Sequence, residues 1–393
     1  MKPFLVILSV LCSSFILNAQ TKGTISGWIV NKNTQNPIAG VTIKVLNTPF
    51  STISDSLGNY RLNNIPTGQY QVVFTSLGSI PYTLYNVVVS SGNETINTIE
   101  LLPQEVTLKE VLIGGNRRTV RAASLETPLS VQKLTAEEIK SSPGSNFDIS
   151  KVVQTLPGVT GSASTSAGFR NDIIVRGGAP NENVFYLDGI EIPVINHFST
   201  QGSAGGPQGI LNVSFIEDVR LSTSAFDARY DNTLSSVFQF KQKAGNANRL
   251  QGNIRMSASE VAATFDGPLS KNTTFLASAR RSYLQLLFQA IDLPIRPNYW
   301  DFQFKTTTKI DKKTTLTFLG IGAIDEFKFA APKEATPEKL YVINSSPSVN
   351  QNSYTFGASL KRLTDKGFIN LSLSRNLLNN RADKYLDNKN PVE

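Results

Sequence analysis

The chain has few of the residues from which enzyme active sites and metal sites are usually built. Its 393 residues include a single histidine, His197, and a single cysteine, Cys12. These are too few for the common zinc sites. The segment Gly161-Ser162-Ala163-Ser164 does not complete the nucleophile pattern G-x-S-x-G, and Gly205–Gly209 lacks the Lys-Ser/Thr ending of a phosphate-binding loop. We therefore expect no enzyme activity, no cofactor and no metal.

Long hydrophobic runs are also absent after the N-terminus. Beyond residue 20 no run of about 20 apolar residues occurs, which excludes membrane-spanning helices but leaves β-strands open. At the N-terminus itself, Lys2, an apolar stretch and Asn18-Ala19-Gln20 follow the order of a secretory signal peptide, residues 1–19. A buried first strand is the less favoured alternative. Cleavage after Ala19 would remove Cys12, so the mature chain would form no disulfide.

Positive charge is in excess but is not concentrated in one part of the chain. The formal net charge is +8 and the pI about 9.4, although only 17% of the residues are charged. Basic residues occur singly or in short pairs such as Arg117-Arg118 and Lys312-Lys313, and no basic stripe interleaved with aromatic residues is present. We expect no nucleic-acid partner. The scattered positive charge instead favours a solvated surface or contact with anionic lipid.

Short β-favouring runs separated by turns are abundant. The length and the 40% hydrophobic content allow several cores, so we predict a multidomain, mainly β protein. In residues 20–102 such runs come at the spacing of a small β-sandwich. Asp55 lies in a turn without neighbouring acids and is expected to accept backbone N–H groups rather than to bind calcium. The predicted strands are Ile25–Val30, Val41–Leu46, Tyr60–Leu62, Tyr70–Thr75 and Asn86–Val89.

Residues 146–198 follow the pattern of a small α/β domain. Apolar residues at helical spacing predict a helix from Ile149 to Leu156, with Asp148 as its N-cap and Pro157-Gly158 at its end. Small polar residues from Gly161 to Gly168 predict an exposed loop. Two strands with their turns follow, Ile173–Val175 before Arg176-Gly177-Gly178, and Asn183–Ile192 interrupted by Asp188-Gly189.

Three elements of this middle region carry a family resemblance. They are Leu156-Pro157-Gly158-Val159, Ile174-Val175-Arg176-Gly177 and Tyr186-Leu187-Asp188-Gly189. In this order and at this spacing they resemble the plug domain of TonB-dependent outer-membrane receptors. The resemblance continues through Ile216–Arg220 and Ser236–Phe240. It implies a small α/β plug domain at residues 122–230.

The resemblance also implies roles for particular residues. Arg176 and Asp188 are expected to hold the plug together by pairing with charges of a barrel wall, rather than to touch ligand. The structural positions of the plug are Pro157, Gly158, Arg176, Gly177, Asp188 and Gly189. The loop expected to face the ligand contains Ser162, Ser164, Thr165, Ser166 and Gly168.

The regions before the plug resemble two further parts of such receptors. Gly27, Pro37, Gly40 and the turns within 55–60 and 65–70 make residues 20–102 similar to the carboxypeptidase-regulatory-like domain, a transthyretin-like β-sandwich without peptidase activity. In the linker 103–121, a short segment resembles a TonB box, which pairs by strand addition with a TonB-type energy-transducing partner. From its residues alone it fits a last sandwich strand or a first plug strand equally well. The segment is Leu108-Lys109-Glu110-Val111-Leu112-Ile113.

Residues 231–393 alternate between apolar and polar side chains. Alternation fits either a transmembrane barrel or a half-solvated sheet. Short turns alternate with long links near 284–298 and 330–352, which favours a barrel. Tyr299-Trp300 fits an interfacial aromatic pair or plain core packing, and Leu284, Leu287, Phe288 and Ile291 predict a helix in the first link. The alternating apolar residues include Phe238 and Phe240, Phe302 and Phe304, Tyr354 and Phe356, and Ile369, Leu371 and Leu373.

The number of strands predicts that the barrel is incomplete. We count about seven, whereas a plugged outer-membrane transporter needs about 22, so residues 231–393 are interpreted as the first strands of an outer-membrane β-barrel in a fragment of a longer receptor. The resemblance implies TonB-dependent uptake of a ligand across a bacterial outer membrane. Its implied partners are a TonB-type protein, outer-membrane lipid and the imported ligand, with a surface lipoprotein as a further candidate. The alternative is a non-transporting, secreted or surface β-rich binding or adhesion protein.

Overall fold

The computed structural model describes residues 22–89, 94–104, 131–135, 138–139, 148–161, 172–199, 206, 208–224, 226–227, 229–257 and 259–384. It contains two compact units, Met1–Glu105 and Val106–Glu393. The predicted signal peptide at 1–19, the TonB-box-like segment Leu108–Ile113 and the loop from Ser162 to Gly168 lie outside the described residues. No helix within the described residues is long and apolar enough to cross a membrane.

The first unit is a β-sandwich, as the sequence predicts. Its strands form two sheets, with the orders β4-β1-β7 and β3-β2-β5-β6. The strands are β1 (Lys22–Asn31), β2 (Thr42–Val45), β3 (Ser51–Ile53), β4 (Asn59–Pro66), β5 (Gly68–Thr75), β6 (Tyr82–Val89) and β7 (Glu94–Leu101). Alternate side chains point between the sheets, where Ile25, Ile29, Ile43, Val72 and Phe74 are fully buried. This shared apolar core holds the two sheets together.

Two strands of the sandwich, β3 and β7, lie outside the runs that the sequence predicts. β7 pairs in parallel with β1, yet its buried positions include the polar residues Glu94 and Asn97. Glu94 is stabilised there because the Ser26 hydroxyl donates to it at 2.6 Å and Arg61 forms an ion pair with it at 2.6 Å. Polar residues at core positions obscure the apolar alternation by which a strand is recognised.

Asp55 acts as a turn residue just before β4. Its Oδ1 accepts the N–H of Leu57 at 2.9 Å and that of Asn59 at 2.8 Å. We expect Asp55→Ala to lower the free energy of unfolding of the sandwich by about 1 kcal/mol, because two turn N–H groups lose their acceptor. Chemical denaturation of the full chain measures this through the fluorescence of Trp28, once Trp300→Phe has removed the other tryptophan. Asp55→Asn keeps one oxygen acceptor and should lose less; an alanine variant as stable as the wild type would contradict the role.

The second unit begins with a small α/β region, which we call the plug. Its main sheet has the order β12-β11-β14-β13-β8, and β9 and β10 form a second, two-stranded sheet. The side chains of Ile149, Val152 and Val153 in α1 are fully buried in its core. The elements are β8 (Val131–Thr135), α1 (Ile149–Val153), β9 (Val159–Gly161), β10 (Ile173–Val175), β11 (Asn183–Leu187), β12 (Ile190–Ile192), β13 (Ile216–Ser222) and β14 (Ser236–Gln242).

The cap and the hairpin turn of the plug are found where the sequence predicts them, but the helix ends at Val153 and not at Leu156. Asp148 caps α1 by accepting the N–H of Ser150 at 2.9 Å. β11 and β12 form a hairpin across Asp188-Gly189, whose φ angles of +50° and +82° are those of a tight two-residue turn. Glycine at the second position adopts this conformation without strain.

The plug ends later than the boundary predicted at residue 230. The predicted boundary places β14 in the barrel portion, whereas the resemblance of Ser236–Phe240 extends the plug through it. The strand pairs in parallel with β11 and antiparallel with β13. Phe238 and Phe240 are therefore buried in the plug core instead of lying on a barrel wall. Alternation identifies a strand but does not say which sheet the strand joins. The plug region continues to Gln242.

The last third forms one antiparallel sheet, which we call the wall. Within the described residues it contains seven strands in sequence order. They are β15 (Gln251–Met256), β16 (Glu260–Ser270), β17 (Thr273–Ser282), β18 (Ile295–Lys309), β19 (Thr314–Phe329), β20 (Ser348–Leu363) and β21 (Phe368–Asp383). The two long links carry helices α2 (Leu284–Ala290) and α3 (Pro337–Ser345). α2 lies where the sequence predicts a helix, whereas no helix is predicted at α3.

The two faces of the wall differ in character, as the alternation predicts. Along β18, Trp300, Phe302 and Phe304 are exposed on the outer face, whereas Tyr299 and Asp301 are buried on the face toward the plug. The predicted aromatic pair is therefore divided between the faces. Trp300 is 40% exposed, as an interfacial residue would be, and Tyr299 is fully buried in the core.

Candidate functional site

The wall contacts the plug through apolar side chains of β19, namely Leu319, Ile321 and Ala323, and through charged side chains. Because alternate residues of a strand share one face, Glu260, Arg280, Asp301 and Asp325 all point inward, and none is more than 3% exposed. Charges buried to this extent are costly unless they are paired. Their partners include His197 of the plug and Arg255 of the wall. We call the set of His197, Arg255, Glu260, Arg280, Asp301 and Asp325 the ionic cluster.

His197 is the residue of the plug in this cluster. It lies shortly after β12 and is fully buried. Its Nδ1 is 2.6 Å from Oδ1 of Asp325 and its Nε2 is 3.1 Å from Oδ2 of Asp301. The imidazole ring stacks on the ring of Tyr299, with 3.9 Å between the centroids. The backbone N–H of the following residue, Phe198, donates to Oδ2 of Asp325 at 2.8 Å. Two strands of the wall thus hold one histidine of the plug.

Arg280 links the wall charges to a second point of the plug. Its Nε donates to Oδ2 of Asp301 at 2.6 Å, and its Nη1 lies 3.5 Å from Oε2 of Glu260. Its Nη2 donates to the backbone carbonyl of Gly209. Glu260 also accepts from Arg255 at 2.7 Å and from the Tyr299 hydroxyl at 2.7 Å. Every charge of the cluster therefore has an opposite charge within ion-pair distance.

The surroundings of His197 fix its protonation state. Burial by itself lowers the pKa of His197, but the charge of Asp325 and the hydrogen bonds with Asp301 and Asp325 outweigh burial and raise the pKa to about 9. The imidazole is therefore protonated at neutral pH, and both ring nitrogens donate. The charges of the cluster then balance, with His197, Arg255 and Arg280 facing Glu260, Asp301 and Asp325.

A second polar contact lies at the Asp188-Gly189 turn. Oδ2 of Asp188 is 2.9 Å from Nζ of Lys305 on β18, and Oδ1 accepts the N–H of Gln242 at 2.8 Å. The side chain of Gln242 in turn accepts from Gln303 at 2.9 Å, and Gln303 accepts the N–H of Asn212 at 3.0 Å. Asp188 thus joins the hairpin of the plug both to β14 and to the wall.

Arg176, for which pairing with wall charges is predicted, is exposed and does not form such a pair with any described residue. Its N–H donates to the carbonyl of Gly158 at 2.9 Å, so it stabilises the turn after α1 instead. Gly158 and Gly177 have φ angles of +80° and +81°, which glycine adopts readily. Pro157 accepts from the side chain of Gln132 at 2.9 Å. These positions act within the plug, and only Asp188 reaches the wall.

His197, the central residue of the cluster, is not among the site residues predicted from the sequence. Its partners Asp301 and Asp325 lie 104 and 128 residues further along the chain. The sequence signal that could have indicated the wall residues of the cluster is a charged residue at an inward-facing position of an alternating strand. The same signal is shown by a charge that faces a water-filled lumen.

Two domain families match parts of the chain. Residues 25–113 match the CarboxypepD_reg-like domain. Residues 123–237 match the TonB-dependent Receptor Plug Domain. The chain therefore carries a CarboxypepD_reg-like domain followed in sequence by a TonB-dependent receptor plug domain. The ionic cluster and Asp188 are the charged contacts through which this plug domain meets the wall. The plug domain is a receptor module, not an enzyme.

Similar proteins are longer than this chain. The TonB-dependent transporter Oar of Myxococcus xanthus is 23% identical over 241 residues, which are 59% of this chain and 21% of Oar. A crystal structure of the ferric enterobactin receptor PfeA of Pseudomonas aeruginosa is 20% identical with a TM-score of 0.48, covering 64% of this chain and 41% of that one. The outer membrane transporter YddB of Escherichia coli is 16% identical with a TM-score of 0.46, covering 62% and 38%. The chain thus spans about a fifth of Oar and about two fifths of these receptors.

Proposed function

We propose that this protein acts in the uptake of a ligand across the bacterial outer membrane, driven by a TonB-type partner. The plug domain match at residues 123–237 supports the transporter class. The observation that carries the proposal is the set of buried charged pairs in the contact between plug and wall, which lie beside an apolar contact at Leu319, Ile321 and Ala323. Charged and hydrogen-bonded pairs make this contact at His197, Gly209 and Asp188.

The charged part of this contact suits a plug that must move. Separating apolar surfaces in water costs about 25 cal/mol per Å². A hydrogen bond that is broken in the presence of water is largely replaced, at a net cost of about 1 kcal/mol. Water that enters between plug and wall therefore solvates the cluster as it opens. A pull on the plug can shift it while the backbone pairing of the wall stays intact.

The pull reaches the plug through the segment before it. Strand addition requires an extended peptide with free backbone donors and acceptors, and Gly114-Gly115 gives Leu108–Ile113 the slack that this needs. The loop from Ser162 to Gly168 and the long links that carry α2 and α3 are the segments proposed to meet the ligand. The apolar outer face of the wall contacts outer-membrane lipid.

Val111→Pro is expected to abolish capture of the protein by a TonB C-terminal domain in a pull-down, as is deletion of Thr107–Ile113. Proline removes a backbone donor and does not fit a central position of an added strand. Val111→Thr, which keeps the donor and the β-branched side chain, is the matched control and should be captured like the wild type. Capture that is unchanged in both the proline variant and the deletion would show that this segment is not the TonB box.

A further inference from the structure

The outer face of the wall changes from apolar to polar toward the end that carries α2 and α3. Cross-strand pairing arranges its side chains in successive rungs. The first two rungs are Phe304, Gly320 and Phe356, and then Phe302, Gly322 and Tyr354. The third rung is Arg281, Trp300, Ile324 and Asn352, and the fourth is Asn298, Glu326 and Asn350. The apolar band of the wall therefore ends at the third rung.

A cleft of about 310 Å³ lies at this transition, lined by the polar residues of the third and fourth rungs and by Trp300. The guanidinium carbon of Arg281 is 4.8 Å from the centroid of the Trp300 ring, and no described carboxylate forms an ion pair with Arg281. The side-chain oxygen of Asn298 is shielded from solvent and accepts no hydrogen bond within the described part of the chain. A cation without an anion and a buried oxygen without a donor both favour a ligand that supplies them.

We infer that this cleft binds the phosphorylated sugar headgroup of a glycolipid in the outer leaflet, an inference that rests on the proposed function because that function places the outer face in lipid. The planar guanidinium of Arg281 matches two phosphate oxygens at once. The ring of Trp300, which is 40% exposed, offers apolar surface to the sugar ring. A sugar hydroxyl donates to the unpaired oxygen of Asn298, and the amides of Asn350 and Asn352 offer further donors and acceptors.

The position of the cleft selects a lipid over a free sugar phosphate. Directly below it lie the apolar rungs of Phe302 and Phe304, which the acyl chains of the same molecule cover. Two acids line the cleft, but Asp325 points inward to His197 and Glu326 pairs with Lys328. Arg281 therefore sets the charge of the cleft, and an anionic headgroup is favoured.

Binding of a purified phosphorylated disaccharide glycolipid to the full chain, extracted from outer membranes in mild detergent, tests the site. Arg281→Gln should weaken binding about tenfold, the loss of one charge-assisted contact. Arg281→Lys should restore part of it, and Trp300→Leu should weaken binding through the lost ring contact. The matched control is Lys312→Gln, which removes an exposed cation from a turn at the opposite end of the wall and should change nothing. The same glycolipid without phosphates should bind the wild type and Arg281→Gln equally.

Three outcomes would overturn the inference. Equal binding of the phosphorylated glycolipid by the wild type, Arg281→Gln and Trp300→Leu would remove the cleft as the site, while the transporter proposal would stand as long as the protein fractionates with outer membranes. Equal competition by the phosphorylated disaccharide without acyl chains would make this a site for a soluble sugar phosphate. A chain that fractionates elsewhere would remove the proposed function and the lipid site together.

Discussion

Asp301→Ala is expected to weaken the attachment of the plug to the wall by about 3–5 kcal/mol, the cost of removing one carboxylate from a buried ion-pair network. Asp301 accepts from two cations at once, Nε of Arg280 at 2.6 Å and Nε2 of His197 at 3.1 Å. All three side chains are almost fully buried, so water does not take the place of the lost carboxylate. The variant leaves two positive charges of the cluster against one another.

Hydrogen exchange measures this effect at the plug segments that touch the cluster. The amides of Phe198 and Ile210 should exchange about a hundredfold faster or more, since each 1.4 kcal/mol is a factor of ten in an equilibrium constant. Asp365→Ala is the matched control, because it breaks the exposed ion pair of Asp365 with Lys313, 3.0 Å long, which contributes less than about 1 kcal/mol. If the two variants exchange alike at these amides, the ionic cluster does not hold the plug.

Elements that depend on neighbouring residues are the ones that the sequence predicts well. The cap at Asp148, the turn at Asp188-Gly189 and the helix α2 each follow from a few adjacent side chains. α3 has comparable signals, Thr336 as N-cap and Pro337 in the first turn, although no helix is predicted there. For β14, local alternation predicts the strand but not its partner sheet, because that choice depends on distant residues.

The contacts between plug and wall are not predictable from local pattern. The single histidine lies in an irregular segment after β12, and nothing near it in sequence indicates two carboxylate partners more than a hundred residues away. Glu260, Arg280, Asp301 and Asp325 are visible as inward-facing charges once the strands are assigned. Alternation predicts only the face of the sheet on which each of these charged residues lies. Whether such a residue meets water in the lumen or a buried counterion depends on how the plug packs.

The attachment of the plug is also expected to weaken as the pH rises from 6.5 toward about 9. His197 has a pKa of about 9 in the folded protein, against 6.5 for an ordinary imidazole. Because the folded pKa is the higher one, the stabilisation by the protonated ring is complete below pH 6.5 and is lost as the pH passes the folded pKa. At 1.36 kcal/mol per pKa unit, the loss across this window is roughly 3 kcal/mol.

His197 is the only histidine of the chain, so this prediction has an unambiguous reporter. With labelled histidine, the single imidazole resonance should titrate near pH 9, and the exchange of the Phe198 amide should accelerate over the same range. In His197→Gln the neutral amide has no proton to lose, so exchange corrected for its intrinsic pH dependence should stay constant between pH 6.5 and 9. A resonance that titrates near 6.5 in the wild type, or a corrected exchange profile equal to that of His197→Gln, would mean that Asp301 and Asp325 do not hold a charged imidazole and that the plug is attached by its other contacts.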